Sequence, residues 1–473
     1  MMVQEATDSR QIEANERNAA ETTTLRHSEL RRTELRPTEK ALTATMLRAF
    51  GLVLTLLINA LLARTLSPAD FGRFALLTNL LLVLCCIGRF GLERTIVRFV
   101  ASALTMGSRE YYRATFTKGF TIALVTTTMV VAAWTILASW NSLWLVGFEL
   151  SPRAIICMAV MIACGSLLMI ASESFRVTQH SVLANLSMAE TSSFVIASLN
   201  LAFVGYLCWA YGNSLDLSLS SLALAMLVPS IIALVFLKKA IIRSQPDGLK
   251  DLEANASRLQ YRTLLAAGGI AMLIQTITNL TLTSDLWFVE RFCQPEDLGR
   301  FAAAKRLVNL SAIPMSVISA SAAAYIAIYF EQNNKLALQA LVRKLVVLGA
   351  FPSIVFLVFC LTIPKLILEN YYGVAYGEAS QILMIFTFGY FCLAIVGAAE
   401  MCLVMTGRLR IALLISSVAF ATLVVGSILL SVYGAVAIAW VSSCVLAARS
   451  LAMCIAFGVT SGTWTNLRFS IRT

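Results

Sequence analysis

Histidine is almost missing from this chain, with only His27 and His180 among 473 residues. No cysteine or histidine pair falls at the spacing of a metal site, so neither a metal nor any other cofactor is expected. Charged residues are scarce too, at 13% against the ~25% usual in soluble domains. That shortage excludes a water-solvated globular fold for most of the chain. The first 40 residues hold no apolar signal-peptide core, and Glu5, Asp8, Glu13, Glu21 and Glu34 are wrong for a transit peptide. No Gly-rich phosphate loop ending in Lys-Ser or Lys-Thr is present, which leaves ATP hydrolysis without its usual site. The loops are short as well. An enzyme acting on membrane-linked sugars needs a folded domain or a large acid-rich loop outside the bilayer, so transport is favoured over catalysis.

Apolar residues make up 58% of the sequence, and its mean hydropathy is +0.78. From residue 42 onward they form twelve segments long enough to cross a bilayer as helices, at 42–63, 73–93, 114–138, 153–173, 190–211, 217–237, 263–289, 300–326, 344–366, 379–405, 411–432 and 434–458. Ten of the eleven cysteines lie inside these apolar runs, Cys293 being the exception, and read as small apolar fillers. The net charge of +11 has an equally local explanation. Lys and Arg crowd alternate connections, at Arg31 to Lys40, Arg94 to Lys118, Lys238 to Arg262 and Lys335 to Arg410, while the turns near Asp216 and Tyr433-Gly434 carry none. By the positive-inside rule both termini are expected in the cytoplasm, and nucleic-acid binding is not expected.

One stretch is written twice. Pro68-Ala69-Asp70-Phe71-Gly72-Arg73-Phe74 returns as Pro295-Glu296-Asp297-Leu298-Gly299-Arg300-Phe301, each copy between two apolar segments. As chemistry it is a capped corner, with proline fixing direction, aspartate placed to accept backbone N–H groups, and glycine relaxing the chain before a helix. Its recurrence implies two related halves of six helices each. Because six is even, the halves run parallel, and a central cavity between two lobes follows. The expected organisation is a disordered cytoplasmic tail at 1–41, an N-lobe at 42–237, an amphipathic cytoplasmic linker at 238–262, a C-lobe at 263–458 and a cytoplasmic tail at 459–473.

Ionisable groups within a span are costly and mark a bundle interior or a wet cavity. Arg48, Arg89, Glu400 and Arg449 fall toward the cytoplasmic side of their helices, and Asp285, Lys305 and Arg306 toward the outer side. Arg48 and Arg89 together suit a phosphate or pyrophosphate, although each alone is equally explained by snorkelling to headgroups. Arg94 reads as structural, and Arg98 stays open to either role. Asp285 with Lys305 and Arg306 is a candidate outer gate or a static pair; Glu400 is a candidate coupling carboxylate or a fixed partner of Arg449. Asn59 and Gln275 are placed either to contact sugar hydroxyls or to bond helices together. Gly88, Gly91 and Pro314 are candidate hinges, and Pro229 and Pro352 are expected to break the sixth and ninth helices.

The corner, its following helix and Gly91-Leu92-Glu93-Arg94-Thr95-Ile96-Val97-Arg98-Phe99-Val100 together resemble bacterial polysaccharide and O-antigen flippases. These share a superfamily with multidrug exporters of the MATE type and the peptidoglycan lipid flippase. The resemblance extends over residues 42 to about 458. It implies a two-lobed, twelve-helix all-α protein of the bacterial inner membrane that moves a polyprenyl-pyrophosphate-linked oligosaccharide from the inner to the outer leaflet. It also implies cationic cavity residues holding the pyrophosphate, for which Arg48 and Arg89 are suitably placed. Its expected partners are the lipid-linked oligosaccharide, membrane lipids and, as a candidate, a glycan polymerase or chain-length regulator. Arg89 departs from the family pattern, standing where relatives often have an acid two positions before the glycine of the Gly-Leu pair. The alternatives are a MATE-like exporter of small molecules, a glycan polymerase or ligase, and a scaffold for a glycan-assembly complex.

Overall fold

A computed structural model describes residues 39–106, 109–177, 181–188, 193–243, 260–315, 326, 329–330, 334–396 and 399–461. Among these residues there is no strand, and ten helices are long and apolar enough to cross a membrane. The protein is a multi-pass, all-α membrane protein. Its first half contains α1 (Glu39–Thr65), α2 (Pro68–Gly88), α3 (Leu92–Met106), α4 (Arg109–Val146), α5 (Pro152–Val177), α6 (Ser181–Leu186), α7 (Phe194–Tyr211) and α8 (Leu215–Arg243). The second half contains α9 (Tyr261–Thr283), α10 (Asp285–Phe292), α11 (Pro295–Asn309), α12 (Lys335–Thr362), α13 (Pro364–Tyr372), α14 (Ser380–Val396), α15 (Ala399–Met405), α16 (Leu409–Leu430) and α17 (Ala435–Ser461). Of the tails at 1–41 and 459–473 and the linker at 238–262, only residues 39–41, 459–461, 238–243 and 260–262 fall within the described residues.

Both copies of the corner start a helix, α2 and α11, with proline in the first turn. The expected role of the aspartate is corrected in detail. In the first copy Ser67 is the capping residue, its Oγ accepting from the Asp70 N–H at 3.1 Å. Asp70 and Asp297 instead face the corner arginines, Arg73 at 3.8 Å and Arg300 at 3.5 Å. A hydroxyl one residue before the proline reaches the free N–H groups of the first turn, and this leaves the carboxylate to its cationic neighbour.

Several helix limits also differ from expectation. The second span ends at Gly88, and Phe90 and Gly91 take positive φ values of 54° and 64° before α3 begins. The exposed Gly88 carbonyl is satisfied from outside its helix, by the Thr126 and Thr127 hydroxyls at 2.6 and 3.0 Å. The seventh span is divided at Ser284, where the Asp285 carboxylate accepts its following N–H and starts α10. Pro229 and Pro352 do not break their helices: α8 and α12 run through both. In each case the next residue is a serine, Ser230 or Ser353, whose hydroxyl donates to the carbonyl four residues back, at 2.7 and 2.8 Å. Such bonds and tight packing let a membrane helix absorb a proline.

The largest apolar core runs through both halves, joining Leu62, Phe71, Leu76 and Met161 to Leu298, Phe301, Tyr372 and Phe386. Outside it, Leu124, Met129, Ile136, Phe351 and Leu414 are exposed along their helices, a surface that only lipid solvates well.

Candidate functional site

The two corners meet. An ideal Cβ on Gly72 would lie 2.6 Å from the Gly299 nitrogen, and one on Gly299 only 1.8 Å from the Pro68 carbonyl oxygen. Only glycine allows two backbones this close. Around the contact Phe71 packs on Tyr372 and Tyr376, each with ring centroids 5.8 Å away. The Tyr371 hydroxyl donates to the Leu56 carbonyl, the Tyr376 hydroxyl to that of Ala63, and Arg64 to those of Asn370 and Tyr371. The halves are therefore sealed together at the face bearing the corners. Arg73 extends the seal by lying 4.9 Å from the Phe148 ring and 4.0 Å from Glu290. Burial raises the Glu290 carboxyl above its ordinary pKa, with Arg73 opposing the shift.

A second contact lies at the far end of α2. Gly91 stands where a Cβ would be 2.5 Å from the Gly268 oxygen, which brings α3 onto α9. Arg94 donates to Gln275 at 2.6 Å, and Gln275 donates to Asn279 at 3.3 Å.

Between these contacts the charged groups fall into pairs. Arg89 lies buried with Glu93, Nε to Oε1 3.0 Å. Lys305 grips the nearly fully buried Asp285 through both carboxylate oxygens. Arg449 reaches Glu400 at 2.9 Å, Ser416 at 3.3 Å and Thr278 at 3.5 Å. Arg306 has no carboxylate partner among the described residues: it donates to Asn59 on α1 and, at 2.7 Å, to Thr78 on α2. Its guanidinium lies 5.3 and 5.5 Å from the Phe71 and Phe74 rings. It thus crosses from one half to the other on neutral partners alone.

The expected groupings are redistributed accordingly. Lys305 and Arg306 are adjacent in sequence but diverge, the first toward Asp285 and the second toward Asn59. Asn59 and Gln275 bond helices together, and Glu400 is joined to Arg449. Arg98 is exposed on α3, one turn beyond Arg94. Arg48 is on α1, with its side chain outside the described residues. Gly88 and Gly91 bound the turn between α2 and α3, and Pro314 follows the 3₁₀ turn Leu310–Ala312 that succeeds α11.

Sequence reasoning passed over Glu173, which pairs with Arg176 at 3.0 Å and lies within electrostatic reach of Glu93, Arg94 and Arg89. A signal for it existed, because the offset carrying Arg73 onto Arg300 also carries Glu173 onto Glu400. It also passed over Thr78 and the Tyr371-Tyr372-Tyr376 cluster, which the sequence alone does not distinguish from other polar and aromatic residues in apolar runs.

The helices are arranged in the membrane-protein fold shared by MATE transporters and the lipid II flippase. An inward-facing multidrug resistance MATE family transporter of the MOP superfamily superposes with a TM-score of 0.65 at 11% identity, over 89% of this chain and 97% of that one. Lipid II flippase MurJ, in an inward closed conformation, gives 0.62 at 13% identity over 88% and 87%. A MOP superfamily transporter from Pyrococcus furiosus, described as having a binding pocket of reversed polarity, gives 0.63 at 12% over 90% and 95%. These neighbours are transporters and a flippase, and none of the three is an enzyme. Comparison with curated proteins finds no match. Residues 38–326 match the family described as polysaccharide biosynthesis protein, and the chain belongs to that family.

Proposed function

We propose that this protein is a flippase that carries a polyprenyl-pyrophosphate-linked oligosaccharide from the inner to the outer leaflet of a bacterial cytoplasmic membrane. The observation that carries the reading is Arg306, a cation between the halves held by Asn59, Thr78 and aromatic faces but, among the described residues, by no anion. A guanidinium at that depth is costly without a counter-charge, and its fork matches phosphate oxygens. A pyrophosphate supplies the missing charge. The Arg89–Glu93 pair is already neutral, so Arg89 acts on the substrate only after Glu93 is displaced. The headgroup passes between the halves while the polyprenyl tail stays in lipid, which removes the cost of taking sugar and phosphate through hydrocarbon. Both termini lie in the cytoplasm, and a glycan polymerase or chain-length regulator receives the product.

Outward movement of negative charge from an inside-negative cell gains about 2.3 kcal/mol per charge at ~100 mV. Glu400 and Asp285 are the carboxylates at which a proton or sodium ion would couple. The test is flipping of a fluorescent polyprenyl-pyrophosphoryl oligosaccharide in proteoliposomes by the parent and by well-folded Arg306→Ala, Arg89→Ala and Arg48→Ala variants. Loss of one charge-assisted contact of ~1.5–3 kcal/mol predicts at least a tenfold slower rate for Arg306→Ala. No flipping by the parent with any headgroup, alongside export of small organic molecules, would move the assignment to a MATE-like exporter.

A further inference from the structure

At the corner face of the first half, α4 is interrupted by Asn141, whose φ and ψ of −154° and 80° are not helical. Beside this break is a groove of about 680 Å³, lined by Ser139, Trp140, Asn141, Glu149, Ile155 and Ile156 among others. The lining residues all belong to the first half, and Glu149 directly follows the Phe148 that Arg73 reaches at the seam. We infer that this groove binds the primary ammonium headgroup of a phospholipid of the phosphatidylethanolamine kind.

Depth is the first argument. The groove sits where the span Tyr111–Leu143 ends and the span Pro152–Arg176 begins, at the level of a membrane interface. Trp140 is 84% exposed there, and exposed Trp209, Tyr211 and Tyr433 mark the ends of other helices on the same face. Aromatic residues with this placement belong to the headgroup layer. Leu143 and Ile156, also exposed, continue the groove with an apolar wall for acyl chains.

Charge is the second. In the second half the corner arginine neutralises the following connection, Arg300 pairing with Glu378 at 2.7 Å. In the first half the equivalent Arg73 is committed to Phe148 and Glu290 instead. Glu149 is consequently left exposed in the groove without an ion-pair partner among the described residues. The neighbouring Asp216 is not its equal, since Ser151 already donates to it at 2.7 Å. A carboxylate beside an exposed indole complements a hydrogen-bonding cation. Arg153, exposed in the first turn of α5, supplies the charge for the lipid phosphate. An anionic headgroup without the ammonium would meet Glu149 unfavourably, and choline, which has no N–H, could not donate to the Glu149 carboxylate.

The test is native mass spectrometry of the delipidated full-length protein titrated separately with dioleoyl phosphatidylethanolamine, phosphatidylcholine and phosphatidylglycerol. The parent should hold phosphatidylethanolamine about fivefold or more tightly than the other two, and Glu149→Gln should bring all three within about twofold. Trp140→Leu should weaken phosphatidylethanolamine at least about twofold, and Glu296→Gln, an exposed carboxylate of the other corner, should change nothing. Equal binding of the three lipids by the parent overturns the assignment, as does choline lipid binding as well as the ethanolamine lipid. A preference that survives both Glu149→Gln and Trp140→Leu in variants with parental melting temperature also overturns it. Flipping activity does not enter the readout, so the outcome is independent of the transported substrate.

Discussion

Gly299 faces the carbonyl of Pro68 with no room for a methyl group, since a Cβ there would come within 1.8 Å of the oxygen. A Cβ on Gly72 would in turn lie 2.6 Å from the Gly299 nitrogen. The repeated motif is therefore more than two similar corners, because each copy is the surface on which the other rests.

Gly299→Ala should separate the corners. Overpacking of this kind costs roughly 1–3 kcal/mol, and the blocking atom is backbone, which yields less easily than a side chain. A lower melting temperature in detergent is expected, with increased labelling of cysteines introduced near Tyr376. A variant with parental stability and parental labelling would mean that the corners do not bear on one another in the membrane.

The pair Lys305–Asp285 is predicted to behave asymmetrically. Lys305→Met alone leaves a carboxylate that is 1% exposed without its cation, at a cost of about 3–5 kcal/mol. Adding Asp285→Asn removes the stranded charge and should recover most of the loss. Thermal unfolding of the two single variants and the double variant decides this, and equal damage in all three would contradict a charge-pairing role.

Arg306 and Asn59 should be energetically coupled because they bond across the seam. Single alanine substitutions and the double substitution form a cycle, with an expected interaction of about 0.5–3 kcal/mol. Arg306→Lys should rescue stability better than flipping, since an ammonium replaces the charge but not the fork. Additive effects within about 0.3 kcal/mol would show that the contact contributes little.

Cys86 offers a direct probe of the opposite end, for its sulfur lies 3.5 Å from the Thr276 hydroxyl. Thr276→Cys should form a disulfide with Cys86 under mild oxidation, joining α2 to α9 and arresting flipping until reduced. Mass spectrometry of the oxidised digest identifies the bond. Crosslinked protein that still turns over would remove α2 and α9 from the moving parts.

Glu400→Gln should leave the buried Arg449 only Ser416 and Thr278 and lower stability, though less than in the Lys305–Asp285 pair because Glu400 is partly exposed. If Glu400 couples transport to protons, the substitution should flatten the dependence of flipping on a pH gradient. A dependence as steep as the parent's would transfer that role away from Glu400.

The all-helical membrane fold and the paired corners were legible in the sequence because each rests on local chemistry. Long apolar runs set the spans, Pro and Gly set the corners, and repetition of Phe71-Gly72-Arg73 as Leu298-Gly299-Arg300 set their correspondence. Arg89 and Glu93 stand four residues apart in the sequence, but the turn at Phe90-Gly91 between α2 and α3, not one continuous helix, brings them together. The division of Lys305 from Arg306 was not legible. Adjacent residues on a helix point about 100° apart, and their partners, Asp285 in one half and Asn59 in the other, are found only when the helices pack. For the same reason Gln275 was readable as a polar group inside a span but not as the partner of Arg94. The sequence alone determined that the chain is a bundle of long apolar membrane helices and that one corner is written twice. Tertiary structure decided which charges cancel and which, at Arg306 and Glu149, have no counter-charge among the described residues, because charge balance depends on distance in space rather than along the chain.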